Sequence, residues 1–327
     1  MRALITGISG FVGSHLAELI LKDTDWDIVG MLRWRSPLDN IAGLMNEANA
    51  GGRVRFVYAD LRDTLAVQNA IKDAAPDYVF HLAAQSFPGI SFASPLDTLD
   101  TNVQGTVRLL DALKGSGAQI HVCSSSEVYG RAKKIPIDED APFHPASPYA
   151  ISKVGTDLVA RHYAEAYGMD IQVTRMFTHT GPRRGDVFAE SSFAKQIAMI
   201  EAGLIPPVVK VGNLSSLRTV ADVRDAVKAY LMLLTVKPAR GAIYNIGGNH
   251  TCQVGDILAV LRELSCAKVK VERDPNRLRP VDADLQVPDC AKFKSHTNWE
   301  PTIPFAQTMA DLLAYWRERV KQPCLQR

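Results

Sequence analysis

Apolar residues in the first half of the chain alternate between short dense runs and stripes at helical spacing. Arg2–Thr6, Asp27–Leu32, Val54–Tyr58, Tyr78–Leu82, Ile120–Ser124 and Asp170–Met176 read as buried strands. Gly13–Lys22, Thr64–Ala74, Thr101–Leu113 and Pro148–Tyr167 read as helices between them. Strands alternating with helices imply right-handed crossovers, hence an α/β fold built on a doubly wound parallel sheet covered on both faces.

The second half is less regular. Gly181–Phe188 reads as loop and Phe193–Ala202 as helix. Thr219–Thr235 contains the helical run V-R-D-A-V-K-A-Y-L-M-L-L, and Ala242–Ile246 is a strand. Val254–Leu264 is helical, Val269–Glu272 a short strand and Phe305–Arg319 a terminal helix. Neither an internal repeat nor a low-complexity linker is visible. The expected division places residues 1–176 and about 219–247 in the sheet domain. Residues from about 177–218 and 248–327 then form a smaller, discontinuous α/β domain over the carboxyl ends of the strands. That edge is where open α/β sheets bind ligands.

With 327 residues, 46% of them hydrophobic, the chain supports one large or two modest cores. A formal net charge of +2 gives no strong field for nucleic acid. No apolar run reaches the roughly 18–20 residues needed to cross a bilayer. The chain opens directly on a strand, without a charged leader and apolar segment, so the expected location is cytoplasmic. Cys123, Cys252, Cys266, Cys290 and Cys324 are scattered and lack C-x-x-C spacing, which favours free thiols over a disulfide framework or a zinc site.

Chemistry enters with the opening turn, T-G-I-S-G-F-V-G. Gly7, Gly10 and Gly13 fall between the first strand and the first helix, with Phe11 and Val12 among them. Such a turn lets a pyrophosphate approach the backbone and meet the positive end of a helix. The second strand ends L-R-W-R-S, where an acid would hold the 2′-hydroxyl of NAD. Arg33, Arg35 and Ser36 instead suit a 2′-phosphate, so NADP is expected over NAD. A solvated basic loop is the plain alternative. Asp60 and Leu61 are placed to hold adenine, and H-L-A-A-Q brings Leu82, Ala83, Ala84 and Gln85 against the dinucleotide. His81 reads as a packed or backbone-bonded histidine rather than a base, and Asn102 as a helix opener or cap.

S-P-Y-A-I-S-K places Tyr149 and Lys153 at i and i+4, on one helix face. A free tyrosine, with a pKa near 10, is no base at neutral pH. A nearby ammonium and a positive nicotinamide are expected to lower it. Upstream, S-S-S-E-V-Y-G supplies Ser125, a hydrogen-bond donor to a reacting oxygen, and Glu127. Hydride transfer to a ketone needs no carboxylate there, whereas dehydration does. Once a sugar C4 hydroxyl is oxidised, the C5 proton is acidic enough for a carboxylate to remove while the C6 hydroxyl leaves. Otherwise Glu127 caps a turn or pairs with an arginine.

These motifs, in this order, resemble the extended short-chain dehydrogenase/reductase family over essentially the whole chain. Within it, the GDP-mannose 4,6-dehydratase group is similar in R-W-R-S, H-L-A-A-Q-S, S-S-E-x-Y-G, F-H-P-A-S-P-Y, P-R-R-G and N-W-E-P. The 4-keto-6-deoxymannose reductase group is similar in S-F-A-K-Q-I, V-K-V-G-N-L-S-S-L-R-T-V-A-D-V-R-D-A-V-K-A-Y and Y-N-I-G. The resemblance implies a Rossmann-type domain and catalysis by Ser125, Glu127, Tyr149 and Lys153. It also implies a GDP-linked sugar substrate, mannose or a relative such as a heptose. For substrate contacts it implies Ser86, Ser126, Thr178, His179, Arg184, Lys195, Val209, Lys210, Asn213, Arg218 and Arg279. Arg183 and Arg184 serve either the sugar nucleotide or the cofactor's 2′-phosphate side. A homodimer through the helix bearing Tyr149, or a homotetramer, is implied as well. A 4-keto-sugar reductase or oxidase and a nucleotide-sugar epimerase are the alternatives. Two departures stand out. F-T-H (Phe177–His179) replaces F-N-H, and Glu190-Ser191-Ser192 replaces T-R-K.

Overall fold

The computed structural model describes residues 1–322 except positions 237, 238, 279 and 282. The strands are β1 (Arg2–Thr6), β2 (Asp27–Leu32), β3 (Val54–Tyr58), β4 (Tyr78–His81), β5 (Gln119–Cys123) and β6 (Asp170–Met176), followed by β7 (His179–Thr180), β8 (Val208–Val211), β9 (Leu217–Asp222), β10 (Ile243–Ile246), β11 (His250–Gln253), β12 (Lys270–Arg273) and β13 (Leu285–Gln286). The helices are α1 (Phe11–Asp23), α2 (Ala42–Asn49), α3 (Thr64–Ala74), α4 (Pro88–Ala93), α5 (Pro95–Leu99), α6 (Gly105–Leu113), α7 (Pro148–Ala166), α8 (Ala189–Glu201), α9 (Val223–Thr235), α10 (Val254–Glu263), α11 (Ala291–Thr297) and α12 (Phe305–Arg319).

A seven-stranded sheet runs in the order β10-β6-β5-β4-β1-β2-β3, with every pair parallel. Most positions of its central strands are buried on both faces because both are covered, and the edge strand β3 is partly exposed. One face packs Leu16, Ala17 and Ile20 of α1 against Val227, Tyr230 and Leu234 of α9. The other packs Val67 and Ile71 of α3, Leu109 of α6 and Ala160 of α7. The doubly wound sheet anticipated from the pattern is therefore present, with β10 extending it beside β6.

Two small sheets lie beyond it. One orders β11-β9-β13 with β7 on β9, and the other pairs β12 with β8. A separate core joins Phe193 and Ile197 of α8, Ile257 and Leu261 of α10, and Leu312 and Trp316 of α12.

Several element ends differ from expectation for local reasons. Within Thr219–Thr235 the helix starts only at Val223, because the Asp222 carboxylate accepts from the Arg224 amide at 2.8 Å and caps it. The helix expected from Thr101 begins as a π-helical turn, Asp100–Gln104, before continuing as α6. Helices α4 and α5, each opened by a proline in its first turn, break up a stretch whose pattern was too short to read.

Two histidines lie buried in the large sheet. His81 hydrogen-bonds Thr6 Oγ1 at 2.9 Å and Thr106 Oγ1 at 3.0 Å, so it is packed, through side chains rather than backbone. His121 meets Thr174 Oγ1 at 2.8 Å. Burial lowers the pKa of each to about 3. The unfolded chain takes up these protons near pH 6.5, and the folded chain does not. Stability from this source is complete above that pH and is lost as pH falls. Each histidine should contribute about 1.4 kcal/mol of loss per pH unit below that point. Urea unfolding at pH 7.5 and pH 5 should differ by about 2–4 kcal/mol from these two groups, and His121→Gln should remove about half of it. A pH-independent midpoint over that range would contradict the burial argument.

Candidate active site

The carboxyl ends of the large sheet open into a cleft of about 1010 Å³. One wall is the glycine turn. Gly7 has φ +72°, and a Cβ there would stand 3.0 Å from the Ala83 backbone. A Cβ at Gly13 would overlap the Gly7 carbonyl. Only glycine lets β1, α1 and the end of β4 approach this closely. Thr6 Oγ1 accepts from the amides of Leu82 at 3.1 Å and Ala83 at 3.0 Å, fixing the opposite wall. The crevice lies between β1 and β4, where the strand order reverses and such sheets bind dinucleotides. Gly10, Phe11, Val12, Asp60, Leu61, Ala84 and Gln85 line it too. This bare-backbone cradle fits a nicotinamide dinucleotide.

Asn102 does more than open a helix. Its Oδ1 accepts from the Gln85 amide at 2.8 Å, and its Nδ2 donates to the Gln85 carbonyl at 2.9 Å and to Ser152 Oγ at 2.8 Å. The π-helical turn thus ties the wall of the crevice to α7.

At the far end of β2, Arg33 and Ser36 form a turn in which the Ser36 amide donates to the Arg33 carbonyl at 3.0 Å and Ser36 Oγ accepts from the Arg33 amide at 3.2 Å. Both line the cleft, whereas Arg35 is exposed outside that lining. The Asp60 carboxylate is held by Arg62 at 2.8 Å, which keeps it below the usual carboxylate range.

The catalytic candidates converge. Ser125, Ser126, Glu127, Tyr149 and Lys153 line the same stretch of cleft. Ser147 Oγ accepts from the Ala150 amide at 3.0 Å, starting α7 so that Tyr149 and Lys153 face β5. Lys153 Nζ donates to the Cys123 carbonyl at 2.7 Å, and Ser124 Oγ donates to the Lys153 carbonyl at 3.3 Å. Burial lowers the Lys153 pKa. Burial also pushes the Tyr149 phenol above its ordinary value, against a hydrogen bond with Ser125 and the charge of Arg184, which pull it down. In the protein alone the phenol is thus raised rather than lowered, because desolvation dominates and the Lys153 ammonium is engaged by the Cys123 carbonyl; the expected lowering drew on a nicotinamide as well as the ammonium. The Glu127 carboxylate is close enough to raise the phenol further.

His179 and Arg184 face the glycine turn. The His179 ring stacks on Phe11 at 5.7 Å, and burial lowers its pKa to about 3. The Arg184 guanidinium lies 3.5 Å over Phe188 and 5.2 Å from Phe11, and pairs with Glu190 at 3.2 Å. Burial lowers the pKa of Arg184 too. Ser86, Thr178, Asn213 and Arg218 line the cleft as anticipated. Three other residues are not brought to it. Strand alternation turns Val209 into the core beneath β8 and Lys210 outward, while Lys195 pairs with Asp186 at 2.6 Å. Arg279 lies outside the described residues.

Arg277, two positions before it, does line the cleft, donating to Ser192 Oγ at 2.9 Å. Glu190, Phe188 and Asn40 are further lining residues that motif reading missed. The R-L-R spacing held a hint of Arg277, and Glu190 stood out only as a departure from T-R-K; Phe188 and Asn40 carried no signal in the sequence.

Comparison with known proteins agrees with this geometry. The family model described as GDP-mannose 4,6 dehydratase matches residues 4–312. The GDP-6-deoxy-D-mannose reductase of Pseudomonas aeruginosa is 32% identical, over 98% of this chain and 99% of its own. The GDP-mannose 4,6-dehydratase of Yersinia enterocolitica is 31% identical, over 99% and 96%. The solved structure of RMD from Pseudomonas aeruginosa complexed with NADPH superposes with a TM-score of 0.82 at 29% identity, over 97% and 99%. The glycine turn, the parallel sheet and the Ser125/Tyr149/Lys153 cluster thus sit in a chain that belongs to the GDP-mannose 4,6-dehydratase family of extended short-chain dehydrogenase/reductase enzymes.

Proposed function

We propose that this enzyme dehydrates a GDP-linked sugar, GDP-mannose or a close relative such as a GDP-heptose, to the 4-keto-6-deoxy sugar with bound NADP. One observation carries the reading. A carboxylate, Glu127, shares the cleft with the Ser125/Tyr149/Lys153 cluster, and its charge raises the Tyr149 phenol.

When bound in the glycine-turn crevice, a nicotinamide would supply both the hydride acceptor for C4 and the hydride donor for C6, so no net redox change would result. Tyr149 takes the C4 hydroxyl proton, and Ser125 hydrogen-bonds the same oxygen and the phenol. Lys153, anchored on the Cys123 carbonyl, orients the cofactor's ribose side. Glu127 removes the C5 proton that the new carbonyl has acidified and protonates the departing C6 hydroxyl, which leaves as water; C5 is reprotonated as C6 is reduced, and the proton that Tyr149 took from the C4 hydroxyl, passed on directly or through solvent, closes the balance. Arg218 and Arg277 at the outer cleft supply fixed positive charge for the diphosphate.

NADP rather than NAD is supported by Arg33 and Ser36 in the cleft and by the relative solved with NADPH. A homodimer or homotetramer is supported by Ile151 and Leu158, which leave apolar surface on α7, and by Leu96 on α5. A cytoplasmic location is in keeping with the free thiols of Cys123, Cys252, Cys266 and Cys290. No described helix is long and apolar enough to cross a membrane.

A second reading, reduction of the 4-keto-6-deoxy sugar, is favoured by the 32% identity to the Pseudomonas aeruginosa reductase. Stoichiometry separates the two. With GDP-mannose and a trace of NADP, many 4-keto-6-deoxy product molecules should form per cofactor; one NADPH consumed per product would establish the reductase instead. Glu127→Gln should slow product formation by at least about 100-fold while the first hydride step persists, and unchanged turnover would remove Glu127 from the chemistry. Arg33→Glu should weaken NADP by about 10- to 100-fold and NAD by less than about threefold, measured by titration. Equal losses would defeat the 2′-phosphate assignment.

A further inference from the structure

Glu127 and Tyr149 come from separate segments, the turn Ser126–Tyr129 and helix α7. A loop of 18 residues, 130–147, separates them. Their relative placement needs a tie other than the chain between them. One buried arginine provides it. Arg175 on β6 is 2% exposed and makes four hydrogen bonds. Nε and Nη2 grip the two oxygens of Asp157 at 2.8 and 3.1 Å. Nη1 donates to the Tyr129 phenol oxygen at 2.9 Å and to the Glu139 carbonyl at 2.7 Å. Tyr129 lies two residues from Glu127. Asp157 follows Lys153 by four residues and Tyr149 by eight, on the same face of α7.

The far side of the hub is also anchored. The Tyr129 hydroxyl donates to Asn245 Oδ1 at 2.8 Å, and Asn245 Nδ2 donates to the Ile137 carbonyl at 2.9 Å. The Asn245 amide donates to Glu139 Oε1 at 2.7 Å. The guanidinium also sits 5.2 Å from the Tyr129 ring and 4.7 Å from that of Phe143. Tyr129, Asp157 and Asn245 are fully buried.

A buried ion pair contributes little net stability, because desolvation offsets its attraction, and apolar residues of like volume often serve as well. What the pair does offer is directional bonding that a hydrophobic contact lacks. We propose that Arg175 is a positioning residue: it locks the turn carrying Glu127 in register with the helix carrying Tyr149 and Lys153. The proposal rests on the reading of Glu127 as the C5 base. Arg175 touches no substrate; it acts through Tyr129 and Asp157.

Removing Arg175 would leave the buried Asp157 with only the half-exposed Arg161, 4.0 Å away, so the informative variant is Tyr129→Phe. It keeps the ring and releases the turn from Arg175 and Asn245 alike, while the Arg175–Asp157 pair still holds α7. Two steps are followed with GDP-mannose and NADP: formation of reduced nicotinamide in a single turnover, and solvent deuterium entering at C5. The expected result is a hydride step within about threefold of the parent and a deuterium exchange at least about tenfold slower, as misplacement of one group alone predicts. Asn245→Ala, which leaves the Arg175 bond to the same hydroxyl in place, should keep the two steps within about threefold of the parent and so assigns the loss to Arg175. Arg175→Lys, which keeps a cation beside Asp157 but not the bond to Tyr129, should show the unequal loss and serves if Tyr129→Phe does not fold. In Tyr129→Phe or Arg175→Lys, unchanged steps, or two steps slowed by the same factor, overturn the proposal. A crystal structure of the variant decides the placement independently of the reaction. Displacement of residues 126–130 relative to Tyr149 supports the proposal, and superposition on the parent overturns it. If the parent protein itself transfers hydride without C5 exchange, the dehydratase reading fails and the crystallographic comparison still tests Arg175.

Discussion

The bond from Lys153 Nζ to the Cys123 carbonyl is the contact on which the site depends. It joins the helix that carries the phenol to the strand that leads into Ser125. A lysine this deeply buried cannot be left without an acceptor, because an unpaired ammonium in a low-dielectric interior is costly. The last carbonyl of β5 is available because the strand ends there. The same geometry sets the distance between Ser125 and Tyr149. The reacting group is thus positioned by the meeting of one strand end and one helix start, and less by the loops around them.

Burial has a second consequence. It raises the phenol and lowers the ammonium, moving both toward their neutral forms. A tyrosine so placed holds its proton until positive charge arrives beside it. Arg184 supplies some of that charge but is paired with Glu190, and Glu127 opposes it. The protein alone therefore keeps Tyr149 protonated, and an oxidised nicotinamide bound in the crevice would be the charge that shifts the balance. In this account proton removal waits for the cofactor, which links binding to chemistry through electrostatics.

Much of this was legible in the sequence, and the limits are physical. The glycine turn is legible because close backbone approach excludes every side chain at Gly7 and Gly13. Tyr149 and Lys153 are legible because i and i+4 fixes a common helix face whatever surrounds it. Both signals are local. The clamp of Asn102 on Gln85 is not, since the partners lie 17 residues apart and meet only once the π-helical turn forms. Arg277 and Ser192, 85 residues apart, meet through folding of the smaller sheets. The displacement of Val209 into the core turned on a strand register that four residues of β8 do not reveal. The rise of the Tyr149 phenol in the protein alone was not legible because desolvation depends on packing, which no spacing encodes.

The most direct test of the central claim is the titration of Tyr149 itself. The protein would carry tyrosine labelled with ¹³C at Cζ, and the signal would be assigned by its loss in Tyr149→Phe. Without dinucleotide the resonance should remain that of a neutral phenol beyond pH 10. On saturation with oxidised NADP its midpoint should move down. A phenolate already formed below pH 9 in the free protein, or a midpoint indifferent to the dinucleotide, would contradict the account.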